Sequence, residues 1–226
     1  MTLQDILDRL EAHYGEVASP TPSEPYELVL FLNSGYPASD ESCAKGFAAL
    51  KAEVGLKPAA ILAADEAGLA RIMRRGGIVP ELRAQRLKWI AAFVQDQLGV
   101  DLKGALLRDP GRARRLLMKF PTLGEPAVER ILLFCGLEPA AAAPAGGLQV
   151  LTRLGLCEEG KAFAATYRAA RAAIEAGVPA DFAARQRAYL LLKTHGHRLC
   201  RRAAPLCQAC PLAADCAYAL GLAAAS

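Results

Sequence analysis

The sequence predicts an all-α fold, on three observations. Alanine is abundant and aromatic residues make up only 6% of the 226 positions, a composition that favours helices over sheets. Apolar residues recur at helical spacing along most of the chain, and no segment shows the strict alternation of a half-buried strand. Glycine and proline mark breaks between periodic stretches, as at Gly35, Pro37, Gly76 and Gly77. With 53% hydrophobic residues, the chain has ample material for a core, either as one large domain or as two small lobes.

Taken in order, residues 2–13 form an amphipathic helix that buries Leu3, Ile6, Leu7 and Leu10. A proline-rich connection over 19–25 leads to an apolar helix at 26–33. Gly35 and Pro37 break the chain at 34–39. A helix follows over 40–54, with Asp40 near its start as the expected N-cap. A short helix at 66–74 ends at Gly76 and Gly77. The segment 80–97 is long and amphipathic, 110–119 is short and basic, and 127–135 is apolar. An alanine, proline and glycine loop spans 138–147. Helices over 148–154, 161–176 and 182–194 complete the series.

No apolar run reaches the ~18 residues of a membrane span. The start of the chain is polar and amphipathic, not a charged and then apolar leader. These features predict a soluble, cytoplasmic protein. The net charge of +4 does not by itself announce nucleic acid. The basic residues, however, gather at 71–75, 83–88, 108–119 and 193–202. Each run could be a solvated helix face; four of them beside a metal site make a polyanion partner credible.

That metal site is the pattern C-x6-C-x2-C-x5-C formed by Cys200, Cys207, Cys210 and Cys216. Four thiolates so close in sequence suit zinc or an iron–sulfur cluster. One short knuckle with two wider arms favours a [4Fe–4S] cube over a zinc ribbon. A disulfide set is the alternative for a secreted chain. Cys43, Cys135 and Cys157 lie in apolar surroundings and are expected to be small buried side chains.

The second informative stretch is Leu117-Met-Lys-Phe-Pro-Thr-Leu-Gly-Glu-Pro-Ala-Val-Glu-Arg130. It predicts a basic helix, a tight turn over 121–124, and a second helix starting near Pro126. Proline is tolerated there because a first-turn N–H has no helical partner. Such a hairpin can offer backbone N–H groups and a helix N-terminus to a phosphate. An ordinary packing corner has the same pattern.

Hairpin and cysteine loop together, in this order and separation, resemble the endonuclease III-like helix-hairpin-helix DNA glycosylases. Phe120-Pro-Thr-Leu-Gly124 is similar to that family's Leu-Pro-Gly-Val-Gly turn. Val150-Leu-Thr-Arg-Leu-Gly-Leu156 is similar to the segment after its catalytic aspartate, and residues 76–87 resemble its glycine-led helix. His195-Gly196 resembles its run into the cluster. The resemblance implies two helical lobes flanking a DNA cleft. One is a six-helix barrel over 23–134, with its hairpin at about 113–135. The other is an iron–sulfur lobe built from 1–22 and 135–226. It also implies a [4Fe–4S] cluster on the four cysteines and double-stranded DNA, damaged or distorted, as the partner of a monomer. Arg201 and Arg202, between the first two cysteines, are implied phosphate contacts, as are Lys119, Thr122 and Gly124 of the hairpin. Together with Arg198, the loop arginines would offset the cluster's charge. His195 and His197 would lie outside the ligand set.

The resemblance breaks at the catalytic positions. The family's lysine nucleophile corresponds to Pro126 and its aspartate, eighteen residues on, to Pro144. Proline supplies neither an amine nor a carboxylate. Residues 139–149 hold no Asp, Glu or Lys, and Glu138 lies six residues early. Candidate substitutes are Glu125, Asp40 and Tyr36. Tyr36 is also a candidate wedge that stacks in the space left by a flipped base. Glu125 has a simpler reading as a first-turn acid. Thr122 replaces a turn glycine and would be strained at positive φ. The expected function is a DNA-binding protein of base-excision-repair type without AP-lyase activity. Its glycosylase activity would be carried by unusual residues or lost, leaving a silent lesion binder. The alternatives from other classes are an iron–sulfur electron-transfer protein and a zinc-bound structural module.

Overall fold

The computed structural model describes residues 1–19, 21–37 and 39–224. Thirteen α-helices and no named strand occur among these residues, as composition and periodicity predict. No helix among them is long and apolar enough to cross a membrane. The chain divides into two compact units, residues 20–137 and residues 1–19 with 138–226.

The central unit contains α2 (Pro25–Asn33), α3 (Asp40–Glu53), α4 (Pro58–Ala63), α5 (Glu66–Met73), α6 (Pro80–Leu98), α7 (Leu102–Arg108), α8 (Pro110–Leu117) and α9 (Glu125–Phe134). Helix α6 is its spine and packs on α4 and α5, while α2 packs on α3, α7 and α9. Leu28, Phe31, Leu50, Ile61, Leu69, Leu87, Ile90, Val94 and Ile131 are buried between them. Helices α4 and α7 were not predicted. At six and seven residues each is under two turns, too short for a period to register.

The other unit joins α1 (Leu3–Tyr14) to α10 (Ala145–Arg153), α11 (Phe163–Gly177), α12 (Phe182–Arg198) and α13 (Ala217–Ala224). Thr2 and Asp5 form a reciprocal capping box at the start of α1, which satisfies two orphan N–H groups. The four apolar residues named from the helical period, Leu3, Ile6, Leu7 and Leu10, are the four that α1 buries. They meet α11 and α12. Arg187 of α12 ties to Asp8 at 2.7 Å and to Glu11 at 2.8 Å, and its hydrogen bond holds the Glu11 carboxyl below the usual carboxylate range. The stretch read as a loop over 138–147 is one through Pro144, and much of it is buried. Ala140, Ala141, Ala142 and Ala143 are all buried, and α10 already begins at Ala145.

Candidate functional site

The hairpin forms as expected. Asp109 caps α8 through the Arg112 N–H, and α9 starts at Glu125 with Pro126 in its first turn. The two helices are fastened by Arg114, which donates to Glu129 at 3.1 Å. Glu129 is fully buried. Thr122 takes φ +63°, the conformation in which a β-branched residue is costly. Its hydroxyl donates at the turn, with Asn33 Oδ1 at 3.0 Å and the Pro121 carbonyl at 2.6 Å. Gly124 N–H bonds to the Thr122 carbonyl at 3.2 Å, and Ala127 N–H bonds back to Gly124 at 3.0 Å. Pro126 has no N–H, and Glu125 places an acid in the same turn. The N-terminus of α9 is therefore a weakened anion cradle, since Pro126 removes one donor and Glu125 adds a negative charge. Lys119, in contrast, is exposed on the turn.

Asp40 is not the N-cap of α3. Ser39 takes that place, its hydroxyl accepting from the Ser42 N–H at 3.1 Å. Asp40 is the first helical residue, and its carboxylate accepts two hydrogen bonds from Arg130 of α9, each 2.9 Å. The two side chains are only 18% and 10% exposed. A carboxylate held in a bidentate arginine fork is a structural tie between α3 and α9.

Tyr36 is exposed on a loop whose backbone is held on both sides. Its N–H bonds to Gly76 at 2.9 Å, and its carbonyl accepts from Ile78 at 3.0 Å. Gly77 has φ +115°, and a Cβ there would lie 1.9 Å from the Tyr36 carbonyl oxygen, so only glycine permits this approach. Arg83, fully buried, donates to the carbonyls of Ser34 and Gly77, both at 2.6 Å. It pins the loop that presents Tyr36 and the exposed Ile78. Neither Arg83 nor Ile78 was singled out from sequence. Arg83 was counted in a basic run, and only its burial reveals a scaffold role. The other basic runs are also partly spent: Arg71 and Arg75 both pair with Glu53, Arg74 with Glu81, Arg108 with Asp101 and Arg112 with Asp109.

In the other unit, Pro144 is buried and serves as N-cap of α10 without a side-chain cap bond. Its ring leaves little room at Gly147, where a Cβ would lie 2.9 Å from it. Arg185 donates to the Pro139 carbonyl at 2.5 Å, holding the buried alanine run in place. No acid or amine stands at this point of the chain.

All four cysteines of the C-terminal pattern line one cavity, together with His195, Arg153, Leu212 and Tyr218. Cys200 follows α12, Cys207 opens a 3-10 turn, Cys210 closes it, and Cys216 precedes α13. Burial pushes the Cys200 and Cys210 thiols up. Three groups reach the sulfurs. Arg153 of α10 donates to Cys200 Sγ at 3.3 Å. The Leu212 N–H donates to Cys210 Sγ at 3.4 Å. His195 Nε2 lies 3.6 Å from Cys210 Sγ, while its Nδ1 is 3.0 Å from the Tyr14 hydroxyl. Burial, then the nearby His13, lowers the His195 pKa to about 4, and burial raises Tyr14 to about 12. A neutral imidazole that accepts the Tyr14 proton at Nδ1 can donate Nε2–H to sulfur.

Among the described residues, no three His, Cys, Asp or Glu side chains are grouped to hold a single metal ion. Arg201 and Arg202 are exposed, and their carbonyls accept from Arg153 at 2.7 and 2.9 Å. It is Arg153, not the loop arginines, whose guanidinium reaches a cysteine sulfur. His197 is exposed. Cys43 and Cys135 are buried and Cys157 is half-buried; burial chiefly pushes Cys135 up to about 12.

No protein-family model and no curated protein matches the chain. Solved structures do. A non-covalent endonuclease III–DNA complex aligns over 99% of both chains at 19% identity and a TM-score of 0.79. A trapped endonuclease III–DNA covalent intermediate, an estranged-adenine complex, aligns over the same shares at 19% identity and 0.78. A thermostable thymine-DNA glycosylase aligns over 97% of both at 16% identity and 0.74. The chain shares the all-α fold of these structures.

Proposed function

We propose that this chain is a DNA-binding protein of base-excision-repair type that recognises damaged or distorted duplex, performs no lyase step, and has lost the usual glycosylase machinery. One observation carries the reading. In a fold shared with DNA glycosylases, the two positions expected to hold the amine and the carboxylate are a helix-opening Pro126 and a buried Pro144. Of the acids named as substitutes, Asp40 is bound to Arg130. Lys119, Arg201 and Arg202 present exposed cations for phosphate contact, and Tyr36 presents an exposed ring for the space beside a flipped base.

The cysteine cavity fits a [4Fe–4S] cluster. Four thiols line it, and two N–H donors and a guanidinium reach the sulfurs. Bound, the cluster would supply structural cross-linking. This chain's own residues then do the rest. Cys200, Cys207, Cys210 and Cys216 would hold it, the Arg153 guanidinium would offset charge at Cys200 Sγ, the neutral His195 would donate a hydrogen bond to Cys210 Sγ, and the 201–206 loop would carry its arginines outward. The protein is proposed to act as a cytoplasmic monomer.

The test has two arms. Borohydride reduction on abasic duplex should give no covalent adduct, because no lysine stands at the nucleophile position. Screening against duplexes with damaged bases should show binding without base release. Release of any base would overturn the silent reading in favour of a glycosylase with unusual residues.

A further inference from the structure

Trp89 is the one tryptophan of the chain, and it is 44% exposed. Its indole is nonetheless rigidly built. Phe93, one turn along α6, stacks on it at 5.0 Å and 7°. Phe120, itself buried, meets both rings edge-on at 6.2 and 5.2 Å. Offset stacking with a perpendicular buttress is the favourable arrangement for three aromatic rings, so the outermost ring is held in one orientation. Beside it lies an open hollow of about 390 Å³, lined by Gln85, Arg86, Trp89, Lys119 and Pro121. Two of these residues come from the turn region of the hairpin. Two of the five are cations, and no carboxylate among the described residues lines it.

We infer that this hollow is a docking site for an unpaired nucleotide of single-stranded DNA, an inference that rests on the DNA-binding reading above. Charge and shape select this occupant. A flat, preorganised aromatic face accepts any nucleobase by stacking, and flanking cations accept the phosphates on either side. A base still paired in a duplex has both faces occupied, so the site takes one from a gap, an overhang or a frayed end. The site also compensates for the hairpin. With Pro126 and Glu125 at the start of α9, backbone donors there hold phosphate poorly, and side-chain cations around Trp89 supply what that helix end lacks.

Because Trp89 is the sole tryptophan, its emission reports the site directly. Full-length protein is titrated with an oligothymidine of about ten nucleotides, with a blunt undamaged duplex, and with a proline-rich peptide as a neutral competitor for an aromatic hollow. The oligothymidine should quench most of the tryptophan emission. Trp89→Ala should weaken its binding, read by anisotropy of a labelled strand, about tenfold, the loss of one stacked base. Trp89→Phe should keep affinity within about threefold, since it retains a ring. Arg86→Ala/Lys119→Ala should weaken binding and flatten its salt dependence while leaving quenching at saturation intact.

Duplex binding with no quenching by the oligothymidine, and equal affinity in Trp89→Ala, would overturn this site and leave the DNA-binding reading standing. Absence of binding to either DNA, and to a duplex carrying an abasic site, would overturn both. Quenching by the peptide alone would also overturn the nucleotide site.

Discussion

Replacing Asp40 with asparagine leaves the Arg130 guanidinium with a neutral partner in a nearly dry position. The two 2.9 Å bonds join α3 to α9, and the side chains are 82–90% shielded, as their 18% and 10% exposures imply. Removing one member of a buried pair costs about 3–5 kcal/mol, mostly as the penalty of the charge left behind. The residual exposure puts Asp40→Asn at the low end, about 3 kcal/mol. With a urea dependence of about 2 kcal/mol per molar, the unfolding midpoint should fall by about 1.5 M. Trp89 lies in the same unit as the pair, so its emission follows this unit's transition even if the other unit melts separately. Adding Arg130→Met to Asp40→Asn should recover part of the loss, because the cation that has lost its carboxylate is then gone. A midpoint shift below about 0.3 M, accompanied by loss of DNA binding or base release, would refute the structural assignment and return Asp40 to the acting groups.

Three further outcomes follow from the geometry. Arg153→Ala should free the carbonyls of Arg201 and Arg202 and uncover Cys200 Sγ; if the proposed cluster is bound, iron should then be lost several-fold faster to a chelator, read as bleaching near ~400 nm, and an unchanged rate would remove Arg153 from its support. At Thr122, held at φ +63°, the glycine variant should be about 1 kcal/mol more stable than the alanine variant, neither having the hydroxyl; equal urea midpoints would mean the turn relaxes. Arg201→Ala/Arg202→Ala should lower the slope of log affinity against log salt by about two, close to one for each phosphate no longer neutralised, and an unchanged slope would take the cysteine loop out of the DNA interface.

Much of the architecture is legible in the sequence. Long helices such as α1, α6 and α12 repeat their apolar residues over several turns, and that period is a local property. The short helices α4 and α7 were missed because two turns do not establish a period. The 138–147 segment is a loop as far as Pro144, but its burial is not legible from composition: small residues also fill a tight core, and Ala140–Ala143 do so here. The Asp40 error has a similar source. Serine and aspartate are both good caps, and their adjacency left the choice to the backbone, which turned helical at Asp40 and left Ser39 extended.

What the sequence alone determined about this protein is what local pattern can carry: the all-α class, the clustered thiols, the prolines where an amine and a carboxylate are expected, and a threonine where the turn needs positive φ. Only the tertiary structure decided which of the charges are already spent. It paired Asp40 with Arg130 across ninety residues and brought Tyr14 to His195 across 181. It buried Arg83 beneath the Tyr36 loop and aimed Arg153 at a cysteine sulfur. The physical reason is that helix periodicity is set by neighbours three and four positions away, whereas the partner of a charge is whatever distant group the packing brings within about 3 Å.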